Sequence, residues 1–455
     1  MIKDVISEGV DFLKSNINDP FKEIPGDLKW PFIGSSLEFA SDINKVILDN
    51  LAKYGPIFKL RVMGYNLIAL AGTEANKLVL QEEQDNFLSK KGWGFIIGDL
   101  FKEAIMLTDG AEHTRFRRIM QTAFHKVPMT GYLDVIETAT NQFLDHEMTI
   151  RNGKLRVYPE MVRLTMKIAG KLFFGFEFSN KDLSAIVDVT KASMWPIHLE
   201  IPFTPYERGM EARRYLTKRY KERIKQNRLN PGDDMFSQMC IAKSETGEMF
   251  SDQEIINQMI FLMLASHGTT TSTLTSLMFE TAKNPYWQDI MRAESNNFYN
   301  DGDLEYGRLK DFKEIGKVLN ETLRLHPALV VMPRFVERDF SFGGHKIPKG
   351  SRVAISTYAT HIMPEIYPNP FLFDPNRFSE ERAEHKKVPF SFIPFGAGRH
   401  ICIGQYFAEM EIKIIISQFV KRFKWSIPKG YEIKYRPPLN APSDGFPVRI
   451  ERIYN

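Results

Sequence analysis

The sequence predicts a mainly α fold with a smaller β portion. A stretch from Ser251 to Lys283 reads as one helix far longer than its neighbours. Apolar residues recur at helical period through most of the chain from about Thr73 to Leu325. β-branched and aromatic runs beside short turns concentrate at about 25–72 and 335–360.

In chain order, the first segment is "MIKDVISEGVDFLKSNI". Ile2, Val5, Ile6, Leu13 and Ile17 can share one helical face. It carries acids from Asp4 onward and has no long apolar run, so neither a secretory signal nor an integral membrane anchor is expected. A helix packed on the body is the expectation, with a membrane-surface helix as the alternative. "GPIFKLRVMGYNLIAL" reads as a hairpin turning at Met63-Gly64-Tyr65. In the long helix, Ser251 and Glu254 form a capping box at the start, and Asn284-Pro285 ends it. Ile255 to Phe279 contains no Asp, Glu, Lys or Arg, yet Asn257, Gln258, His267 and the Ser/Thr run from Ser266 to Ser276 argue against a membrane span. It reads as a helix buried through a large protein. "FSFGGHKIPKGSRVAIS" then supplies strands and turns, "MPEIYPNPFLFDPNRF" an irregular meander, and Ile403, Phe407, Met410 and Ile414 a last helix. No linker or repeat divides the 455 residues, which are expected to form a single catalytic domain without a fused reductase.

The composition is that of a globular, soluble protein: 43% hydrophobic and 25% charged. A net charge of +4 is too mild to argue for nucleic acid. Two cysteines, Cys240 and Cys402, make no disulfide framework and fit a reducing, cytoplasmic setting.

Cys402 stands in the loop "FIPFGAGRHICIG", just before a helical pattern. The start of a helix favours thiolate over thiol. Gly396, Gly398 and Gly404 allow left-handed turns and close approach of something bulky and flat. A nucleophilic cysteine needs a histidine base beside it, and His400 at i−2 is not evidence of one. A zinc site needs more Cys or His nearby. A single thiolate suits the axial position of haem iron, where the porphyrin supplies four donors.

With these residues the loop resembles the haem-binding loop of the cytochrome P450 family, Phe-x-x-Gly-x-Arg-x-Cys-x-Gly. Phe395, Gly398, Cys402 and Gly404 match; His400 stands where Arg is usual, as also in the sterol 14-demethylase branch. Further parts follow the family's order. Glu321-x-x-Arg324 in "NETLRLHP" resembles its buried ion pair, with Arg377 of "FDPNRF" as third member. His113 and Arg117 in "AEHTRFRRIM", with Arg334, resemble haem-propionate contacts, which His400 would join. "LASHGTTTST" resembles the oxygen-side pattern Ala-Gly-x-acid-Thr: Ala265 and Thr269 match, Ser266 replaces the glycine, and Gly268 replaces the acid.

The resemblance implies a cytochrome P450 fold with haem b between the long helix and the Cys402 loop. It implies insertion of one oxygen atom from O2 into a C–H bond of a small hydrophobic substrate. Cys402 would be the iron ligand, with Gly396 and the loop glycines against the cofactor. Thr269 would steady bound oxygen and relay protons, with His267 as candidate relay and Gly268 as the departure to be explained. Trp93, Phe95, Trp195, Phe203, Phe261, Leu262 and Phe446 are the candidate pocket walls. "IPGDLKWPFIGSSLEF" resembles the entrance segment of the retinoate-hydroxylase and sterol-demethylase branches, which points to steroid, terpenoid or fatty-acid-like substrates. Electrons would come from a ferredoxin or flavodoxin type donor with its NAD(P)H reductase. Arg115, Arg118, Lys413, Lys421, Arg422 and Lys424 are the candidate docking charges, and the expected state is monomeric. A peroxide-dependent peroxygenase and a non-catalytic haem sensor are the alternatives.

Overall fold

The computed structural model describes residues 19–193, 195, 198–243, 247–436 and 441–453. The amphipathic N-terminal segment read from the sequence lies outside them.

The helix Asp252–Lys283 organises the molecule. Its capping box forms as expected: the Ser251 side chain accepts from the Glu254 N–H, and the Glu254 carboxylate accepts from the Ser251 N–H. At 32 residues it runs about 48 Å. The helices Val157–Ala169, Pro205–Leu229, Lys313–Leu325 and Gln405–Arg422 pack against it. Several of its threonines tolerate burial because the hydroxyl donates back to the carbonyl one turn earlier. Thr273 bonds Thr269 (3.0 Å), Thr275 bonds Thr271 (2.7 Å) and Thr281 bonds Leu277 (2.7 Å). Among the described residues no helix is long and apolar enough to cross a membrane.

The main sheet has five strands in the order Ile57–Val62, Tyr65–Leu70, Arg352–Ser356, Val331–Val336, Phe87–Leu88. The first pair is the hairpin read from the sequence, with Val62 opposite Tyr65. Tyr65–Leu70 and Arg352–Ser356 run parallel, so the N-terminal and late β segments meet in one sheet. The β portion is more dispersed than the expected 25–72 and 335–360. Ser36–Ser41 and Ile43–Tyr54 inside the first span are helical, while Lys154–Arg156, Pro447–Arg452 and Phe423–Ser426 form a separate three-stranded sheet. Short edge segments that pair across hundreds of residues leave little periodicity for a sequence pattern to show. The largest apolar core lies among the helices, and a second one lies under the main sheet.

Candidate active site

The loop 392–404 is held by its backbone. The Cys402 N–H donates to the Phe395 carbonyl (2.9 Å), and the Ile393 N–H donates to His361 Nε2 (2.9 Å). Gly398 has φ +66°, and a Cβ there would lie 1.7 Å from the Leu80 carbonyl oxygen, so only glycine fits. Gly404 differs: its φ is −93°, and a Cβ would meet protein no closer than 3.9 Å. The protein's own packing therefore leaves room beside Gly404 for a flat group.

Cys402 has accessible surface, yet protein surrounds it almost completely, so its thiol opens onto an interior space. Its titration departs from the expected thiolate preference. Burial pushes the thiol up and outweighs the Gly404 N–H and Arg117, both of which favour the thiolate. Coordination to iron is what would deprotonate this sulfur. Cys240 sits in the helical core with its thiol pushed up to about 12 by burial.

Beside the loop four basic side chains converge. His113 and Arg117 lie one turn apart on the helix Gly110–Gln121. The His113 ring meets that of His400 at 4.0 Å between centroids. Arg117 donates to the Ile401 carbonyl (2.6 Å). Arg334, 5% exposed, donates to the Pro333 carbonyl (2.9 Å) and has no carboxylate at ion-pair distance among the described residues. Burial pulls Arg334 down to about 10, and burial with the neighbouring His400 and Arg117 pulls His113 down to about 4. One acid faces the group: Asp109, 3.5 Å from His400 Nε2. Burial raises the Asp109 carboxyl, but His400 and the N–H groups of Lys90 and Ser89 prevail and hold it low. Buried cations in excess of their acids are costly without an anion. The set fits a group bearing two carboxylates, as the haem propionates do.

The long helix is partly accessible at Phe261, Leu264, Ala265, Ser266 and Thr269 within an otherwise buried run, and Phe261, Leu264, Ala265 and Thr269 form a stripe at helical spacing. The Thr269 hydroxyl donates to the Ala265 carbonyl (2.9 Å). His267, about 200° from Ala265 around the helix, lies off this stripe. Its Nδ1 turns back onto the Met263 carbonyl and burial lowers its basicity, so the structure does not bring it to the site with Thr269. Gly268 is buried beside the stripe and contributes no side chain. A buried acid that the sequence reading missed comes from another helix: Glu411 bonds Thr270, and burial raises its carboxyl well above the usual range. The signal for it was weak, the second of two glutamates, Glu409 and Glu411, near the start of a mostly apolar helical run.

The Glu321 cluster braces the far side of the loop. Arg324 grips Glu321 with two bonds (2.6 and 2.8 Å), both side chains fully buried. Arg377 lies 3.4 Å from Glu321 but is held more directly by Glu384 (3.0 Å). Arg324 also donates to the His361 carbonyl (2.9 Å), and the His361 ring receives the loop's Ile393 N–H. Glu384 and His361 were missed because neither stands in a recognisable spacing with its partners.

A loop with one deep thiol and four basic side chains beside it invites comparison with known proteins. The family model for cytochrome P450 matches residues 24–448. The chain belongs to the cytochrome P450 family. It is 32% identical to "Putative cytochrome P450 136" of Mycobacterium tuberculosis over 442 residues, covering 94% of this chain and 88% of the relative. It is 28% identical to the beta-amyrin 28-monooxygenase of Solanum lycopersicum over 448 residues, covering 94% and 92%. The solved structure of a retinoic acid bound cyanobacterial CYP120A1 superposes with a TM-score of 0.87 at 27% identity, covering 94% of this chain and 99% of that one. The fold is thus the cytochrome P450 fold, and the chain is a cytochrome P450 monooxygenase whose family carries haem with cysteine thiolate ligation.

Within this P450 the expected pocket walls divide. Phe261 meets Phe101 edge to face at 5.8 Å, Leu262 and Trp93 are buried in the helical core, and Trp195 packs against it. Phe95 instead lies on Tyr65 (4.5 Å) under Arg352, on the sheet side. Phe203 is 92% exposed at φ +67°, a loop tip rather than a wall. Phe446 is fully buried against Phe279 and Tyr431, ten helical positions beyond Thr269. Aromatic residue type alone does not tell which surface a side chain meets, so these three stand apart from the Phe101–Phe261 contact. Most of the proposed docking charges are engaged. Arg115 pairs with Glu254, Lys413 turns inward to the Leu309 carbonyl (3.1 Å), Lys421 lies over Tyr299, Arg422 bonds Gln418 and Asn141, and Lys424 meets Asp289 (3.4 Å).

Proposed function

We propose that this P450 hydroxylates a terpenoid, steroid or fatty-acid-like substrate, with Cys402 as the iron ligand and electrons from a separate ferredoxin or flavodoxin. What supports the reading is the deep-set Cys402 thiol with the basic cluster beside it, in a chain that matches the cytochrome P450 family over residues 24–448. When bound, haem supplies the oxygen activation and accepts the electrons. His113, His400, Arg117 and Arg334 would hold its carboxylates, and the Gly404 N–H beside Cys402 would temper the sulfur's charge. The Thr269 O–H rests on the Ala265 carbonyl, which leaves the hydroxyl oxygen able to accept a hydrogen bond.

Two relatives support the substrate class by their names: one acts on beta-amyrin and one structure holds retinoic acid. The test is a screen of the haem-loaded protein against triterpenoids, steroids, retinoids and fatty acids. A substrate displaces water from the iron and shifts the Soret band towards the blue. Absence of any such shift in all four classes overturns the substrate assignment. A carbon monoxide adduct without the red-displaced thiolate band overturns the ligand assignment.

Gly268 favours a second reading, because the position before Thr269 carries no acid to pass on a proton. A peroxide-driven enzyme needs no such relay. Turnover with hydrogen peroxide compared with turnover on ferredoxin, its reductase and NADPH separates the two. In the monooxygenase reading Gly268→Asp reduces peroxide leakage per NADPH consumed; unchanged leakage favours the peroxide route. We place the protein in the cytoplasm as a monomer, supported by its two free thiols, and size-exclusion chromatography checks the oligomeric state.

A further inference from the structure

Asp109 joins two parts of the site that are far apart in sequence. Its Oδ1 accepts the Ser89 N–H (2.8 Å) and its Oδ2 the Lys90 N–H (2.9 Å). These are free donors at the start of the helix Ser89–Phe101, whose own N-cap, Leu88, offers no side-chain bond. The same carboxylate lies 3.5 Å from His400 Nε2 in the Cys402 loop. Asp109 also begins the next helix, where its carbonyl accepts the His113 N–H (3.3 Å). The first turn of the Ser89–Phe101 helix rests directly on the strand bearing Arg334: a Cβ at Gly92 would lie 2.6 Å from the Arg334 Cα. That helix carries Trp93 and Phe101, and Phe101 meets Phe261 on the long helix. One carboxylate therefore caps the helix on the apolar side and faces the ring expected to hold a haem carboxylate.

We propose that Asp109 is a positioning residue that couples the packing of the Ser89–Phe101 helix to haem retention through His400. The inference rests on the haem reading of the basic cluster. A carboxylate at a helix start favours the helix, and the same charge beside His400 fixes the ring's orientation. Either arm, once broken, loosens the other, because coupling between two sites is reciprocal. A carboxylate that was only a local cap would act on the helix alone.

The experiment crosses the two readouts in the haem-loaded protein. Amide hydrogen exchange of residues 89–101 reports the helix, and haem transfer to excess apomyoglobin reports retention. Asp109→Ala is expected to speed both, each by about tenfold. Asp109→Asn keeps one acceptor for the helix but no charge, so it accelerates haem transfer more than it accelerates exchange. It also serves if the alanine variant does not fold. His400→Ala is expected to speed exchange at 89–101 although it lies some 300 residues away in sequence. Glu103→Ala, an exposed acid just beyond the end of that helix, changes neither readout. If His400→Ala leaves exchange at 89–101 as in the parent, or Asp109→Ala leaves haem transfer unchanged, the coupling is refuted and Asp109 is a local cap. Failure of the haem reading shows separately, as a parent protein without the thiolate carbon monoxide band.

Discussion

At the scale of single residues, position decides chemistry more than residue type does. Burial pushes the Glu411 carboxyl well above the usual carboxylate range, and its bond to Thr270 offsets only part of that. A carboxyl whose folded pKa lies above its unfolded value costs nothing below pH 4.5, where both states are protonated. Stability then falls as pH rises from there towards the folded pKa, because the unfolded chain releases the proton first. Glu411→Gln should therefore flatten the decline of melting temperature with rising pH above 4.5, read by circular dichroism melts across a pH series. His267 gives a contrasting expectation. It lies off the stripe with Nδ1 on the Met263 carbonyl, so His267→Gln should leave peroxide leakage per NADPH unaltered. Gly398 is fixed by both φ +66° and the close Leu80 carbonyl, so Gly398→Ala forces the loop to move. A stability loss of roughly 1–3 kcal/mol and faster haem loss are expected, seen by thermal melting and haem transfer.

At the scale of elements, the helix Lys313–Leu325, the meander and the Cys402 loop behave as one braced unit. Glu321 receives Arg324 and the Asp374 N–H, Arg377 passes the connection to Glu384, and His361 passes it to Ile393. His361 is held neutral by burial, down to about 3, so its ring can accept that N–H across the physiological range. Removing Glu321 leaves the buried Arg324 without its carboxylate and takes one of two from Arg377. Glu321→Ala should cost about 3–5 kcal/mol, measured by urea unfolding, and should yield protein deficient in haem. Much of this element was legible, since Glu321 and Arg324 stand at helical i, i+3 spacing. Glu384 and His361 were not, because they reach the unit through irregular backbone.

At the scale of the whole molecule, the charges once expected to greet an electron donor are largely spent on internal partners. Lys413 is mostly buried, and Arg422 is shared between Gln418, Asn141 and Asp145. Long-range steering by this face is thus weak. Reduction by an acidic ferredoxin should slow by less than about threefold between roughly 0.05 and 0.5 M salt, measured by stopped-flow under carbon monoxide. A steep decline would place the docking face elsewhere or show these pairs to open on contact.

The sequence by itself determined the mainly helical class, the long buried helix with its capping box, the Cys402 loop, the Glu321–Arg324 pair and the basic residues beside the loop. These are local patterns, in which spacing along the chain equals position on a helix or turn. The tertiary structure alone decided that Asp109 faces His400, that Glu411 meets Thr270, that His267 lies off the Thr269 stripe, and that Phe203 stands in solvent while Phe446 fills a core. Those outcomes depend on which face of each element the packing buries, and on contacts between segments up to some 300 residues apart, whose free energy no local pattern contains.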